Sequence, residues 1–594
     1  MKQFRRFRVS LRFLVSLLLA GTSAPVLAQQ ALDAWAPAGS QAPIELRVND
    51  PVRGDIPFQP VHATLLPDGR VMLFAPVNVH ARAAWFVPTP IGDPLPPVLR
   101  LTADHVPVNI NTPIDFTDAQ GRQWHFEETI FCSGHSLTAD GSLFVAGGTF
   151  FYSMRQPNGI YVSWIYGMPN TTLYSYPVST WFRLQPDMIG TGATGSNRRW
   201  YGTVTRLSDA RMLVSSGFEL ADTRLQVPGL PVSHHGTNIN RSVEVWTPAA
   251  PPAASSRSLV SAHLQTPEEV WNPDYTHAFQ VPYGPPMIPS NTVLMFGAAG
   301  VPVYLLADAP PGTGWITLSN QRRPGTVATD APNHGTASVM LPMRANNFEW
   351  GYANGSVLQA GGGLGSQMER SIDFFELSSG TWAQGIDLGV RRRFPATVLL
   401  PDGKVMVVSG YDATNVNPVI RNAHYLDLRP PMSPNTFTTG TAASGEVRGY
   451  HNIALLLPDG RVLIGGGRSR GSDSGDPEDE KPNFRYLLPP YLASGQSRPV
   501  ITAAPQTIGY GTSFTVEFSG GPISEVVVMG LGSMTHAIDM NQRYLQLATP
   551  VKGATSAEVT GPENIQTAPP GYYMLFVLNE SRVPSIARFV RVVP

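Results

Sequence analysis

The chain has 594 residues, of which 42% are hydrophobic and 14% are charged, and its 42 basic residues nearly balance 43 acidic ones. The net charge of -1 argues against a nucleic-acid-binding protein, which usually carries a basic excess. The charge content is also too low for a disordered chain. The 56 glycines and 56 prolines indicate many turns, so the composition predicts an all-β protein of two or more domains.

Residues 1–28 have the pattern of a secretory signal peptide. Basic residues up to Arg12 precede an apolar run from Phe13 to Ala20, and a segment of small residues ends at Ala28. The apolar run is shorter than the ~20 residues that a membrane-spanning helix needs, and no later segment has the character of a span. We therefore expect a secreted protein, extracellular or periplasmic.

Cys132 is the single cysteine of the chain. An intramolecular disulfide is therefore excluded, although exported proteins usually meet an oxidising environment. The count alone is compatible with a buried apolar residue, a free thiol, or another bond to the sulfur.

One pattern returns seven times between His62 and Gly467: an apolar run, a tight turn, a second apolar run and glycines. Asp-Gly or Asn-Gly between such runs predicts a β-hairpin, because both residues tolerate positive φ. Some copies continue to a late tryptophan, as at Trp246, and the whole pattern resembles the kelch repeat. We expect residues 29–490 to form a seven-bladed kelch-type β-propeller. The seven turn residues are Asp68, Asp140, Asp209, Asn291, Asn354, Asp402 and Asp459.

Shorter alternating runs follow this repeat. They are separated by clusters of glycine and proline, which is typical of an immunoglobulin-like β-sandwich, here predicted for residues 491–594. The polar segment from Arg468 to Lys481 is predicted to be an exposed loop of the last blade.

The position within the repeat selects candidate site residues. Cys132, Tyr201 and His451 each lie eight residues before the turn aspartate of their own copy, and Tyr450 is adjacent to His451. An equal offset predicts an equal place on the innermost strand, so that these side chains could meet at one mouth of the central channel. The alternative is structural, because innermost propeller strands often carry polar residues around trapped water.

Imidazole nitrogen and anionic oxygen are ligands that suit Cu(II). Tyr201, Tyr450 and His451 supply three such groups, and His536 of the C-terminal region could supply a fourth if its loop reaches the channel. His62 and His135 lie at other offsets and are predicted to be buried core histidines.

Four separate segments resemble those of the copper radical oxidases, the family that includes galactose oxidase and glyoxal oxidase. They are FCSGHSL (131–137), RRWYGT (198–203), GYHNIALLLPDGR (449–461) and GSMTHAIDMNQR (532–543). The resemblance extends over both predicted domains and agrees with the predicted order of propeller and sandwich.

The resemblance implies a role for each candidate residue. Cys132 would be joined through sulfur to the ring of Tyr201, and this thioether-linked tyrosine would ligate Cu(2+) and carry a protein radical. His451 and His536 would be the imidazole ligands. Tyr450 would be the axial ligand and the base that takes the substrate proton.

The implied activity is the oxidation of small aldehydes or primary alcohols with O2 to give H2O2. One departure concerns the tryptophan that stacks on the cross-linked tyrosine in galactose oxidase, since the comparable stretch here carries Phe218 and no tryptophan. The alternative is a non-catalytic extracellular kelch protein that binds glycans or matrix. A propeller glycosidase is disfavoured, because no pair of carboxylates shares the offset of the candidate residues. The sequence does not indicate an oligomeric state.

Overall fold

The computed structural model describes a chain built almost entirely of β-strands. The predicted signal peptide, residues 1–28, lies outside the described residues. These are 34–36, 43–50, 54–75, 82–91, 97–101, 116–117, 123–124, 128–150, 158–159, 163–167, 179–189, 197–220, 238–249, 255–272, 275–282, 289–324, 335–344, 355–363, 370–412, 422–428, 437–440, 446–469 and 480–594.

Seven antiparallel units of four strands follow one another in the described part of the chain. In hydrogen-bonded order they are unit one, His62–Leu65, Val71–Ala75, Arg82–Phe86 and Arg100–Leu101; unit two, Gly134–Leu137, Leu143–Ala146, Ser163–Gly167 and Thr180–Leu184; unit three, Thr203–Arg206, Met212–Ser215, Val243–Thr247 and Ser256–Ser261; unit four, His277–Gln280, Thr292–Phe296, Pro302–Leu306 and Trp315–Thr317; unit five, Ala337–Met340, Val357–Ala360, Ser371–Glu376 and Thr381–Asp387; unit six, Arg393–Leu399, Val405–Tyr411, His424–Leu426 and Phe437–Thr439; and unit seven, Asn452–Leu456, Val462–Gly466, Asn483–Leu488 and Ala34–Ala36.

The first two strands of a unit are joined by the tight turns expected from the sequence. In unit one, Asp68 Oδ1 accepts a hydrogen bond from the backbone N–H of Arg70 at 3.1 Å, and Gly69 has φ 85°. Asp459 and Arg461 repeat this bond in unit seven at 3.1 Å. The aspartate therefore closes the turn with its own side chain while glycine takes the positive φ, and the hairpins predicted at these turns are confirmed.

The first strands of the units lie side by side and are largely buried. Contacts join the first strands of units two and three, three and four, five and six, six and seven, and seven and one. The N-terminal strand Ala34–Ala36 pairs with Tyr486–Leu488 as the outer strand of unit seven, so that the two ends of the repeat region meet. The all-β class is confirmed, and the arrangement agrees with a propeller; the closed ring of seven blades stays a prediction.

Two further sheets form the C-terminal region. Their facing side chains pack into one apolar core that includes Val516, Phe518, Val528 and Leu575, as expected for a sandwich. One sheet contains Val500–Ala503, Ser513–Ser519, Ser556–Thr560 and Val551–Lys552. The other contains Met343–Arg344, Tyr544–Leu547, Ile523–Gly530, Gly571–Asn579, Arg588–Val593 and Thr507–Gly509. The predicted boundary between residues 490 and 491 stays a prediction.

A hairpin leaves this C-terminal region and enters the repeat region. Its strands are Ser533–Thr535 and Ile538–Asp539, and we call residues 533–539 the bridging hairpin. Its first strand pairs antiparallel with the first strand of unit one. Its second strand meets the first strand of unit five through the pair Ser338 and Ile538. The hairpin therefore places C-terminal residues between two inner strands of the repeat region.

The remaining elements are short. Helical turns are found at His263–Gln265, Glu268–Val270 and Pro490–Ala493, and none of the helices in the described ranges has the length and apolar character needed to cross a bilayer. The other strands are Ile44–Glu45, Arg47–Asp50, Gly54–Pro57, Phe116–Thr117, Gln123–Trp124, Glu128–Thr129, Thr149–Phe150, Asn158–Gly159, Phe218–Leu220 and Asn238–Ile239.

Candidate metal centre

The residues selected by repeat offset share one backbone conformation. Cys132, Tyr201 and His451 have φ values of 58°, 61° and 69°, and each stands where the chain enters the first strand of its unit. Phe394 occupies the same place in unit six with φ 52°. The left-handed region costs a residue with a side chain roughly 1–2 kcal/mol, and strained residues of this kind concentrate at functional sites.

The bridging hairpin brings His536 to these strand entries. His536 and Ala537 form its two-residue turn, with φ values of 47° and 71°, and positive φ at both central positions is the mark of a type I′ hairpin turn. Thr535 Oγ1 lies 2.5 Å from His536 Nδ1. His536 Nε2 lies 3.7 Å from Cys132 Sγ. The loop thus reaches the residues contributed by the repeat.

The five predicted residues converge in one buried cluster. The hydroxyl groups of Tyr201 and Tyr450 are in hydrogen-bond contact. The imidazole centroids of His451 and His536 are 4.6 Å apart, and their planes are nearly perpendicular at 86°. Candidate ligand atoms of Cys132, His451 and His536 all lie within 4.8 Å of one another. None of the five side chains is more than 2% exposed.

Cys132 and Tyr201 are neighbours through their backbones as well as their side chains. The N–H of Tyr201 donates to the carbonyl oxygen of Cys132 at 2.9 Å, and both side chains belong to the same apolar cluster. Residues separated by almost seventy positions are thus fixed beside each other, as a bond between sulfur and ring would require.

A carboxylate sets the orientation of the His451 ring. Glu480 Oε1 lies 2.5 Å from His451 Nδ1, and Arg468 Nε donates to the same oxygen at 2.6 Å. Burial raises the pKa of Glu480, but the attraction of His451 and Arg468 outweighs burial, and the pKa ends below its usual value. With Nδ1 bound to the carboxylate, Nε2 is the nitrogen left to serve as a ligand.

Glu480 and Arg468 correct the prediction for the polar segment 468–481. Both residues, at 6% and 5% exposure, are buried, and both act on a candidate ligand. The composition of the segment indicated an exposed loop, because a buried ion pair has no pattern in the sequence by which it could be distinguished from solvated charges.

An indole lies against Tyr201, contrary to the expectation drawn from Phe218. The ring centroids of Trp200 and Tyr201 are 4.5 Å apart and their planes differ by 30°. Phe218 meets Tyr201 edge-on at 6.3 Å, and Tyr275 does so at 5.1 Å. The tryptophan comes from the adjacent position in the RRWYGT segment, so its signal was present in the sequence but stood on the other side of the tyrosine.

The environment keeps the cluster electrically neutral. Burial raises the pKa of Tyr201 well above its usual value, and the neighbouring Cys132 and Tyr450 raise it further. Burial also raises the pKa of the Cys132 thiol, which hydrogen bonds to Tyr201 and Trp200 only partly oppose. Burial and then the charge of His451 lower the pKa of His536 well below its usual value. Neutral imidazole is the form that binds metal, and a cation would favour the phenolate form of the tyrosines.

This donor set fits a copper ion. Two imidazole nitrogens and two phenol oxygens converge without competing water, and nitrogen and oxygen donors of this kind suit Cu(II). The thiol of Cys132 is close enough to be counted with the two imidazoles, so that geometry alone would also allow a sulfur ligand.

Two further histidines, expected to be buried core residues, are fully buried and lie beside the cluster. His62 Nε2 accepts a hydrogen bond from the backbone N–H of Cys132 at 3.0 Å. Burial, followed by the charge of His135, lowers the pKa of His62 well below its usual value, and burial lowers the pKa of His135 to about 3.

Comparison with known proteins gives one domain family and several relatives. Residues 498–592 match the family model of the galactose oxidase-like early set domain. A galactose oxidase of Gibberella zeae is 26% identical over 491 residues, which cover 78% of this chain and 61% of that protein. A WSC domain-containing protein of Arthroderma benhamiae is 27% identical over 500 residues, covering 80% of this chain and 47% of that protein. The aldehyde oxidase GLOX of Vitis pseudoreticulata is 32% identical over 212 residues, covering 33% and 40%.

A solved structure shares the fold. The structure of a fungal alcohol oxidase of the AA5 family, in complex with copper, superposes with a TM-score of 0.63 at 20% identity, covering 95% of this chain and all of that one. The chain spans about half to three fifths of the length of its first curated relatives. The matched domain and these relatives, taken with the four sequence segments, place the chain in the copper radical oxidase family.

Proposed function

We propose that this protein is an exported copper-radical oxidase that converts small aldehydes or primary alcohols to more oxidised products and reduces O2 to H2O2. The observation that carries the proposal is the convergence of Tyr201, Tyr450, His451 and His536 with the lone sulfur of Cys132 in one buried cluster. Three distant stretches of the repeat region and one C-terminal hairpin contribute to this cluster, and a merely structural polar core would not need this set of donors.

The ion would be held by the two phenol oxygens and the two imidazoles. A bound Cu(II) would accept one electron and would lower the pKa of a hydroxyl group beside it. Glu480 holds His451 with its other nitrogen available, and Thr535 does the same for His536. The protein therefore presents both rings in a fixed tautomer.

Tyr450 is assigned the role of base. Its hydroxyl lies against that of Tyr201, so a substrate proton passed to Tyr450 would arrive beside the group that reacts next. Phe394 meets the Tyr450 ring edge-on at 5.0 Å and helps to exclude water from it.

Tyr201 is assigned the role of second electron acceptor. Converting an alcohol to an aldehyde removes two electrons and two protons, so a one-electron metal needs a partner. The Tyr201 radical would take a hydrogen atom from the substrate carbon, and its sulfur substituent from Cys132 would make the phenol easier to oxidise. Reduction of O2 by the same two electrons and two protons gives H2O2, which closes the balance.

The proposal is tested on purified protein exposed to Cu(II) in air. We expect about one copper per chain, a mass lower by two hydrogen atoms, and peroxide production in a screen of methylglyoxal, glyoxal, galactose and aliphatic alcohols. A titratable thiol that survives copper loading, together with an unchanged mass, would contradict the proposal.

The second candidate is a non-catalytic extracellular kelch protein that binds glycans or matrix. It requires the fold and not the buried donor set. It predicts no copper uptake and no peroxide with any of these substrates.

A further inference from the structure

We infer that His62 and His135 are positioning residues that hold the backbone of Cys132 in place for bond formation between its sulfur and the ring of Tyr201. The inference rests on the function proposed above, because only a cross-linking cysteine needs this placement.

The hydrogen bonds between these residues can run in one direction only. The backbone N–H of Cys132 is a donor, so His62 Nε2, at 3.0 Å, must be the acceptor. The proton of neutral His62 is then on Nδ1, which donates to His135 Nε2 at 3.0 Å. His135 must in turn carry its proton on Nδ1, which donates to Ser533 Oγ at 2.7 Å. One backbone group therefore fixes both tautomers.

This chain of bonds holds Cys132 from both sides. Its N–H is bound by His62, and its carbonyl oxygen accepts the N–H of Tyr201 at 2.9 Å. Cys132 has φ 58°, a conformation that a residue with a side chain leaves readily unless its neighbours prevent it. Without the bond to His62, the peptide before Cys132 is free to turn, and the sulfur would move with it.

The far end of the chain reaches the bridging hairpin. The Ser533 hydroxyl accepts from His135 Nδ1 and donates to the His135 carbonyl oxygen at 3.1 Å. Thr64 Oγ1 lies 3.0 Å from the same hydroxyl. Ser533 begins the hairpin whose turn carries His536, so the two histidines tie the position of Cys132 to the arrival of a C-terminal ligand.

The reaction that this arrangement serves can be balanced. The S–H bond of Cys132 and one ring C–H bond of Tyr201 break, and a C–S bond forms between the two residues. Two protons and two electrons leave the protein, and O2 takes up both to give H2O2. The rate of this step depends on how often the sulfur meets the ring, which the backbone of Cys132 controls.

The test follows cross-link formation and not turnover. Metal-free, reduced protein is mixed with Cu(II) in air, and intact mass spectrometry records the fraction that has lost two hydrogen atoms. The variant His62→Phe keeps a ring but offers no acceptor, and it should slow this loss by about tenfold or more, since an unpaired buried N–H is costly. His62→Gln, whose amide oxygen can take the place of Nε2, should return the rate to within about threefold of the parent.

A matched control is available in unit four. His277 is a buried imidazole on an inner strand that also hydrogen-bonds to a serine hydroxyl, that of Ser338, and it is remote from Cys132 in the hydrogen-bond network. His277→Gln should therefore cross-link at the parental rate. Parental rates for His62→Phe would overturn the inference while leaving the oxidase intact; a parent protein that never loses the two hydrogens would overturn both.

A measurement without mutation covers the case in which His62→Phe does not fold. Amide hydrogen exchange of the parent, metal-free chain should show a strongly protected N–H at Cys132. Exchange at the rate of an exposed amide would refute the bond to His62 and with it the inference, and protection together with rescue by His62→Gln would support it.

Discussion

Trp200 lies against Tyr201, its neighbour in the chain, with ring centroids 4.5 Å apart and planes 30° from parallel. Adjacent residues of an extended strand point to opposite faces. Here the left-handed φ of 61° at Tyr201 turns the chain, and the two rings meet. The same backbone feature that brings Tyr201 to the cluster therefore provides its covering indole.

We predict that Trp200→Phe shortens the lifetime of the oxidised protein. The indole shields Tyr201 from water, and an aromatic pair of this kind is worth about 0.5–1.5 kcal/mol, which corresponds to a change in decay rate of up to about tenfold. Decay of the radical signal in electron paramagnetic resonance measures it. Trp246→Phe is the control, because Trp246 is also buried and stacks on Phe144 with centroids 4.9 Å apart. Equal decay in the two variants would contradict the assignment.

Cys132→Ser should fold and yet lose oxidase activity. The hydroxyl nearly preserves the size of the thiol, so burial of the new polar group should cost no more than about 1–3 kcal/mol, but no thioether can form. Intact mass before and after copper treatment, peroxide assays and thermal unfolding measure the three effects. Turnover at the parental rate would show that the sulfur has no part in the reaction.

Glu480→Gln should weaken copper binding by about 10–100-fold, the usual effect of removing the partner of a ligating histidine. The amide keeps the shape but presents a weaker acceptor to His451 Nδ1. Competitive titration against a chelator gives the affinity. As a control, Glu244→Gln changes a buried carboxylate that pairs with Arg199 at 3.5 Å in unit three. If both variants bound copper alike, the orientation of His451 would not depend on Glu480.

The free energy of unfolding should fall as the pH is lowered from about 6.5. Burial lowers the pKa of His277 to about 3, whereas an unfolded histidine takes up its proton near pH 6.5. The unfolded state therefore binds more protons within this interval, and one such residue contributes up to about 1.4 kcal/mol per pH unit. Asp539, whose pKa burial raises to about 6, partly offsets this effect because its folded form is the first to be protonated.

Denaturant unfolding at pH 7 and pH 5 measures this dependence, with His277→Gln as the test. The variant should lose about 1.4 kcal/mol per pH unit of the slope. An unchanged slope would mean that His277 is protonated in the folded protein.

The sequence could predict the part of the site that the repeat contributes. Cys132, Tyr201 and His451 share an offset from their turns, and the structure shows that this offset is one backbone conformation at one strand entry. His536 has no place in the repeat. Its position depends on the pairing of the bridging hairpin with units one and five, and only the resemblance to a family indicated it.

The residues around the ligands were beyond prediction from local pattern. Glu480 stands among solvated charges in the sequence, and its burial results from the contact with His451 and Arg468. His62 was expected in the core, which is confirmed, but its bond to the Cys132 backbone connects units one and two. Such contacts join residues about seventy positions apart, which neither periodicity nor motif spacing records.

The bridging hairpin has a thermodynamic consequence. Because His536 comes from the C-terminal region and the other donors come from the repeat region, an ion bound among them would act as a clasp between the two. A ligand present at a hundred times its dissociation constant stabilises the state that binds it by about 2.7 kcal/mol. The metal-free protein should accordingly separate more easily along this seam, so that metal content sets the mechanical cohesion of the molecule.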